Sequence, residues 1–372
     1  MIKQFLFRNF RNFENIRINI ENLSVLIGAN AAGKTNVIEG IRMLSYLAKG
    51  DSLDGIFRGG YRGIRGRLKD CMMIGRDDFS LGCVVGDDKG DYEYEIIFSV
   101  NDLGTVVIWA ETIKIGDDEF RLPIDSPLFA GLSSVNYEVD SEKERARRTL
   151  HDALVNIFFL SPDVSGLRGY AAIDDNILVE DCTNLAAVLY KLYPIKEKQI
   201  MDILRNLPDN EIKELSFREG SMNDVVFFVH EKLGKHGGIE KISSELLSDG
   251  TLKSIALLAA ALSSPKGSLI VTEDPDTGIH SGRLNHLIQS LVEICNERGI
   301  DLLLTTHSVQ MLNSLKKEQM TGINFLYRND ETGTGCSKCI MDIQELPLLL
   351  LNGKVGDLVQ NNKLEKSVKG EE

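Results

Sequence analysis

The run Gly28-Ala29-Asn30-Ala31-Ala32-Gly33-Lys34-Thr35 fits the spacing G-x-x-x-x-G-K-[ST] at every fixed position, and nothing else in the chain constrains the fold as strongly. Ser24-Val25-Leu26-Ile27, just before it, reads as a short buried strand. Just after it, Val37, Ile38, Ile41, Leu44 and Ala48 recur at helical spacing. Strand, turn and helix in that order make a cradle for a polyphosphate. The glycines let the backbone wrap the anion. The first N–H groups of the helix have no intrahelical acceptors and stand at the positive end of its dipole. Lys34 is placed to reach terminal phosphates as a point charge, and the Thr35 hydroxyl to take one Mg²⁺ position.

The last third of the chain is patterned to match. Leu246-Leu247-Ser248-Asp249-Gly250-Thr251 leads into a helix through Leu262. Ser268 to Thr272 is a buried strand ending in Glu273-Asp274-Pro275-Asp276. A helix from about Arg283 to Cys295 then precedes a strand, Asp301 to Thr305, which ends in Thr306-His307-Ser308. This alternation implies a parallel sheet with right-handed crossovers, and ligand chemistry belongs at the carboxyl ends of such strands. The phosphate loop, Glu273-Asp274 and His307 all fall there. Beside such a loop, one carboxylate can hold Mg²⁺ and the other can orient an attacking water, while a neutral His can contact the terminal phosphate. Taken singly, these residues read as a helix-capping acid and a hydrogen-bonded histidine.

Between these blocks the signal is weaker. Ile2 to Phe7 and Ile16 to Ile20 read as strands around a turn at Arg8 to Asn15, and residues 80–115 as an antiparallel meander. Ser141 to Arg148 reads as a charged helix with a solvated face. Leu185 to Tyr193 and Ile200 to Leu207 read as helices, and Val225 to His230 as a strand. No long heptad run predicts a coiled-coil arm. Arg58, Arg62, Arg65, Arg67 and Lys69 alternate with glycines around Tyr61. That run reads equally as a basic loop on a nucleic-acid backbone and as a solvated connector.

Lys plus Arg number 42 and Asp plus Glu 55, a net charge of −13, which argues against a surface coated all round for nucleic acid but allows a local basic face. The longest apolar run, Ile255 to Leu262, is too short to cross a bilayer, so no membrane partner is expected. The N-terminus opens into an alternating strand without a signal-peptide core, and the cytoplasm is the expected location. Of the 6 cysteines only Cys336 and Cys339 form a C-x-x-C, placed in an apparent hairpin without a second pair or histidines to complete a zinc site. Reduced, incidental thiols are expected.

Taken together, the blocks resemble the ABC-type ATPase heads of the SMC, RecF and OLD group, in the compact form without a long coiled coil. Phe10-Arg11-Asn12-Phe13, the phosphate loop and Thr35-Asn36 resemble the family's N-terminal half. Leu247 to Thr251 is similar to its signature motif, Glu273-Asp274-Pro275-Asp276 to its Walker B segment and D-loop, and Thr306-His307-Ser308 to its switch histidine. Asn184 to Leu189 resembles a helix frequent in the compact members. The likeness covers most of residues 1–50 and 245–310. It implies an α/β P-loop NTPase with an ABC-ATPase-type mixed sheet, an N-terminal antiparallel β subdomain and an inserted α/β lobe. Residues 1–50 and 245–345 would form the nucleotide-binding core and residues 55–240 the subdomain and lobe of one ATPase domain.

The resemblance also implies roles. ATP would lie on Gly28, Asn30, Ala32, Gly33, Lys34, Thr35 and Asn36, with Arg11 approaching in cis and Mg²⁺ held by Thr35 and Glu273. Lys34, Asp274 and His307 would be the catalytic groups. Ser248, Asp249 and Gly250 would cap the ATP of a second copy in a head-to-tail homodimer, and Asp276 would begin the loop coupling the two sites. The chain departs from the family in its Glu-then-Asp order at 273–274, the second acid being one methylene short of the usual Glu. It also has Ala31 and Ala32 where the loop is often glycine, and no glutamine is assigned to the Mg²⁺ shell. The expected activity is ATP hydrolysis, slowed by that Asp, in DNA repair or anti-phage defence. Because no acidic TOPRIM-like cluster follows His307, a separately encoded effector is expected. The alternative is an ATP-gated scaffold that scarcely turns over and regulates a partner nuclease or toxin. A transporter's ATPase subunit fits less well, because the long spacing from Lys34 to Ser248 leaves room for a large lobe.

Overall fold

A computed structural model describes residues 1–57, 63–135, 141–173, 177–207, 211–232 and 237–370 as a mixed α/β chain. In chain order come β1 (Ile2–Phe10), β2 (Phe13–Asn19), β3 (Leu23–Gly28), α1 (Lys34–Ala48) and α2 (Leu53–Phe57). Strands β4 (Asp78–Gly86), β5 (Asp91–Val100), β6 (Val106–Ile115) and β7 (Asp118–Arg121) lead to α3 (Glu142–Val155). Next are β8 (Ile157–Leu160), β9 (Ala171–Ala172), α4 (Leu185–Arg205), β10 (Glu211–Glu219), β11 (Asp224–Lys232) and β12 (Ile239–Ser243). The last third holds α5 (Asp249–Ser263), β13 (Leu269–Thr272), α6 (Ser281–Arg298), β14 (Asp301–Thr305), α7 (Val309–Ser314), β15 (Ile323–Arg328) and β16 (Gly335–Cys339).

The chain divides into two compact units. The first is Met1–Ile157 with Lys317–Gly353 and Leu358–Glu372; the second is Phe158–Lys316 with Lys354–Asp357. In the first, the strands run in the order β7-β6-β5-β4-β1-β2-β16-β15-β3. The meander β4–β7 is antiparallel throughout, whereas β15 runs parallel to β3 and β16 parallel to β2. Phe79 and Phe98 stack at 4.5 Å between ring centroids beneath the meander. Helix α1 buries Val37, Ile38, Ile41, Leu44 and Leu47, each contributing about 2 kcal/mol of transfer free energy. That apolar side is what fixes the helix, and so the loop before it.

In the second unit β8, β13 and β14 are neighbours, with β13 and β14 parallel as the strand–helix–strand pattern requires. A separate sheet, β10-β11-β12 with β9 beside β11, carries α4 on one face. The fold is thus the α/β P-loop type with a mixed sheet and an antiparallel N-terminal part. Among the described residues no helix is long and apolar enough to cross a membrane.

Three local expectations are revised. The turn after β1 is shorter than Arg8 to Asn15, because Phe10 and Phe13 are both buried and pair across the hairpin, leaving Arg11 at φ 55. The charged stretch from Ser141 is the start of α3, N-capped by the Ser141 hydroxyl, and its inner face is not solvated: Ala146, Leu150 and Leu154 are buried. The two helices near residues 185–207 are one kinked element, with Pro194 inside and a non-helical Lys196. Cys336 and Cys339 lie on β16, in a hairpin with β15, and both are free thiols.

Candidate functional site

The phosphate loop links β3 to α1. Gly28 has φ 144 and Gly33 φ 117, both in the region that L side chains rarely adopt. Gly28 has a second reason to be glycine: a Cβ there would fall 2.1 Å from the Leu326 carbonyl oxygen of β15. Ala31 has φ 66, so the position that is often glycine in such loops does use the left-handed conformation here, with an alanine bearing the strain. The N-cap of α1 is Gly33, which offers no side-chain acceptor, so the helix start is left for a ligand anion to cover. Lys34 is 8% exposed, and its Nζ donates to the carbonyls of Gly28 at 2.7 Å and Ala29 at 3.3 Å. That grip holds the ammonium against the loop's own backbone. Asn30 and Ala31 stand exposed at the rim, while Thr35 and Asn36 occupy the first turn of the helix.

A charged cluster that sequence reasoning missed braces this loop. Glu39, one turn along α1, is 1% exposed. Its Oε1 accepts from Arg65 Nε at 2.5 Å and from the Arg65 backbone N–H at 3.0 Å. Arg11 Nη2 reaches its Oε2 at 2.8 Å as an ion pair, and donates to the Arg65 carbonyl at 2.6 Å. Arg65 Nη2 donates in turn to Asn36 Oδ1 at 2.8 Å, Asn36 Nδ2 to Asn12 Oδ1 at 2.7 Å, and Asn12 Nδ2 to the Ala32 carbonyl at 3.3 Å. One continuous chain of donors therefore runs from the basic loop to the phosphate loop. The signal in the sequence was a Glu inside the apolar stripe of α1, a place where a carboxylate needs a partner. Arg11 is drawn into this cluster. Of the basic run, Arg65 remains 64% exposed along its side chain despite its pairing, and Arg67 and Lys69 are exposed. Arg58 and Arg62 lie outside the described residues.

In the second unit, the ends of β13 and β14 are stitched together by hydroxyls. The Asp274 N–H donates to Thr305 Oγ1 at 3.0 Å, and the Thr305 hydroxyl donates back to Asp274 Oδ1 at 3.0 Å. Asp274 itself sits at φ 43, a left-handed position tolerated best by Asp and Asn. Thr306 Oγ1 donates to Asp276 Oδ1 at 3.1 Å. Burial pushes the Asp276 carboxyl up, opposed by Thr306 and by nearby His307, while Asp274 adds to the rise. Glu273 is exposed and lines a pocket of about 170 Å³ with Ser161, Lys253, Thr272, Asp274 and Thr277. The carboxylates of Glu273 and Asp274 are hard oxygen donors of the kind that suits a cation such as Mg²⁺.

The signature segment opens α5. Ser248 is its N-cap: the hydroxyl accepts from the Thr251 N–H at 3.2 Å and lies 2.9 Å from Thr251 Oγ1. Both Ser248 and Asp249 are exposed, whereas Gly250 is buried where a Cβ would fall 2.7 Å from the Gly278 carbonyl. Lys253 Nζ donates to the Thr277 carbonyl at 2.7 Å, tying α5 to the segment after Asp276. Arg168, which no local pattern singles out, clamps the same place. Its Nη1 donates to the carbonyls of Glu245 at 2.7 Å and Leu247 at 2.8 Å, and its Nη2 to Asp249 Oδ1 at 2.6 Å.

Comparison with known proteins bears on family and fold. A model of the family described as "AAA domain, putative AbiEii toxin, Type IV TA system" matches residues 23–313. The "DNA replication and repair protein RecF" of Rickettsia canadensis (strain McKiel) is 24% identical over 264 residues, which span 69% of this chain and 65% of that protein. The protein of the same name from Lactococcus lactis subsp. cremoris (strain MG1363) is 42% identical over 45 residues, 12% of each chain. The chain therefore spans 65% and 12% of the lengths of these curated relatives. Among solved structures, an SMC head bound to the C-winged helix domain of ScpA superposes with TM-score 0.55 at 13% identity, covering 91% of this chain and 97% of that one. The SMC head domain from Thermotoga maritima superposes with TM-score 0.50 at 12% identity, covering 91% and 98%. The fold is that of an ABC-type ATPase head of the SMC and RecF group.

Proposed function

The chain belongs to the AAA-domain family whose model spans residues 23–313, and from that premise we propose that it is an ATP-hydrolysing, Mg²⁺-dependent head that works as a head-to-tail homodimer. The observation that carries this reading is the phosphate loop, with its uncapped helix start and a buried Lys34 bonded to the loop's own carbonyls. ATP lies on Gly28, Asn30, Ala32, Gly33, Lys34, Thr35 and Asn36. Thr35 and Glu273 hold Mg²⁺, Asp274 orients the attacking water, and His307 answers to the terminal phosphate. The Ser248-Asp249-Gly250 edge, exposed at its first two residues, caps the ATP of the second copy, and Asp276 couples the two sites. ATP then closes the dimer and hydrolysis opens it, a switch driven by differential binding of the terminal phosphate.

The RecF relatives, named for DNA replication and repair, support a role on DNA; work beside a separately encoded effector in defence belongs to the same reading. A second reading, an ATP-gated scaffold with little turnover, is favoured by one feature: the short Asp274 side chain is already engaged by Thr305. Sedimentation of the purified protein with and without ATP and Mg²⁺ tests the core of the proposal. The native chain should dimerise only with both, and Ser248→Arg should stay monomeric while still binding ATP. A monomer under both conditions overturns the dimer. A dimer that releases no phosphate selects the scaffold.

A further inference from the structure

Helix α6 opens with a buried cation. Arg283 lies on its first turn and is 6% exposed, where the positive end of the helix dipole and the loss of hydration both act against a guanidinium. Its Nη1 reaches across to α5 and donates to Thr251 Oγ1 at 2.8 Å. Thr251 Oγ1 in turn lies 2.9 Å from Ser248 Oγ, which also accepts from the Thr251 N–H at 3.2 Å. A continuous line of donors and acceptors therefore runs from the helix after Asp276 to the hydroxyl at the head of the signature segment.

The chemistry of these groups fixes which way each proton points. A guanidinium has N–H donors and no acceptor, so Thr251 Oγ1 can only receive from Arg283. The Thr251 hydroxyl must place its own proton elsewhere, and Thr251 is 2% exposed. Among the described residues the partners of that hydroxyl are Arg283 and Ser248. Its proton accordingly goes to Ser248 Oγ, because a buried hydroxyl proton left without an acceptor is costly. Ser248 Oγ then receives both the N–H and the hydroxyl proton of Thr251, which fills the two lone pairs of a serine oxygen. Its own proton has no acceptor left at the helix start and, with Ser248 exposed, is turned outward. Ser254, one turn on, shows the ordinary alternative for a helical hydroxyl: it donates back to the Gly250 carbonyl at 2.7 Å.

On the reading of Ser248 as the cap on a second copy's ATP, we propose that Arg283 is a positioning residue for this serine. By holding Thr251 Oγ1 toward Ser248 it makes the Ser248 hydroxyl an outward donor, matched to an anionic phosphate oxygen. Without the guanidinium, Thr251 is free to turn back to the carbonyl four residues earlier, as Ser254 does. Ser248 then loses the second proton that directs its own.

Sedimentation at several protein concentrations, with ATP and Mg²⁺ present, measures the association in which Ser248 takes part. Arg283→Met and Thr251→Val should each weaken it about tenfold, the effect of one lost charge-assisted contact. Thr251→Ser, which keeps the hydroxyl, should restore most of the parent's association. ATP binding by the monomer should be unchanged in all three. Combination with Ser248→Ala separates positioning from packing. With no serine proton to direct, Arg283→Met should weaken association no further, whereas a residue that only packs α6 on α5 adds its own loss again. Circular dichroism melts identify a variant that fails to fold, and Thr251→Val, which keeps the native shape, carries the test if Arg283→Met does so. A parent that stays monomeric with ATP and Mg²⁺ overturns the dimer and the role of Arg283 with it. A parent that dimerises and is weakened by Ser248→Ala, but not by Arg283→Met or Thr251→Val, overturns the role of Arg283 alone. So does a further loss of similar size in the Ser248→Ala background.

Discussion

Glu39 shows how much of this chain's site depends on one buried carboxylate. Two arginines, the Asn36 amide and the loop carbonyl of Ala32 are ordered through it, although Glu39 itself is too far along α1 to belong to the motif. Glu39→Gln keeps the shape and removes the charge, leaving Arg11, whose side chain is 13% exposed, without its counter-ion. Stranding one partner of a buried pair is expected to cost about 3 kcal/mol. Urea denaturation should show it as a lower midpoint with an unchanged slope, and ATP affinity should fall with it as the loop loses its brace. A loss below about 1 kcal/mol would place the pair among ordinary surface contacts. The motif residues themselves were legible in the sequence because backbone chemistry dictates them: Gly28 and Gly33 occupy the conformations that the spacing demands. The pairing of Glu39 with Arg11 and Arg65 was not legible, since it joins three segments that no periodicity relates.

At the scale of elements, the ends of β13 and β14 act as one piece. Their apolar runs, bounded by polar residues, identify both strands in the sequence, and their parallel register follows from the intervening helix. The hydroxyl stitching was invisible, because Thr305 reads as the last residue of a buried strand rather than as the holder of Asp274. Equally hidden was β15, whose placement beside β3 explains the intolerance at Gly28 but whose sequence carries no sign of its partner. Under the proposed function the two acids have separate roles, and only Asp274 is held by the stitching. Glu273→Gln should weaken ATP binding in the presence of Mg²⁺, whereas Asp274→Asn should spare binding and lower turnover about a hundredfold, as losses of water-orienting groups do. Thr305→Val removes both the acceptor for the Asp274 N–H and the donor to its carboxylate. Turnover should therefore change while ATP affinity holds. Equal loss of affinity in all three variants would mean that the strand ends serve binding alone.

For the whole molecule, the proposed head-to-tail dimer requires a signature edge on one copy to be kept ready for the nucleotide of another. Ser248 and Asp249 are exposed, and an exposed helix start would ordinarily fray even with its serine cap. Arg168 opposes this by fastening the carbonyls of Glu245 and Leu247 and the carboxylate of Asp249 with one planar guanidinium, a geometry that lysine cannot reproduce. Because Arg168 is partly exposed, the contact to Asp249 adds little to folding by itself; its value lies in presenting the edge in one conformation. Arg168→Ala and Arg168→Lys should accordingly leave thermal stability within about 1 kcal/mol of the parent and ATP binding by the monomer unchanged. ATP-dependent dimerisation should weaken about tenfold, corresponding to roughly 1.4 kcal/mol of lost pre-organisation. Sedimentation at several protein concentrations, with ATP and Mg²⁺ present, measures that shift directly. If both variants associate as the parent does, the signature edge holds its shape without the clamp, and Arg168 is only a surface tie between neighbouring turns.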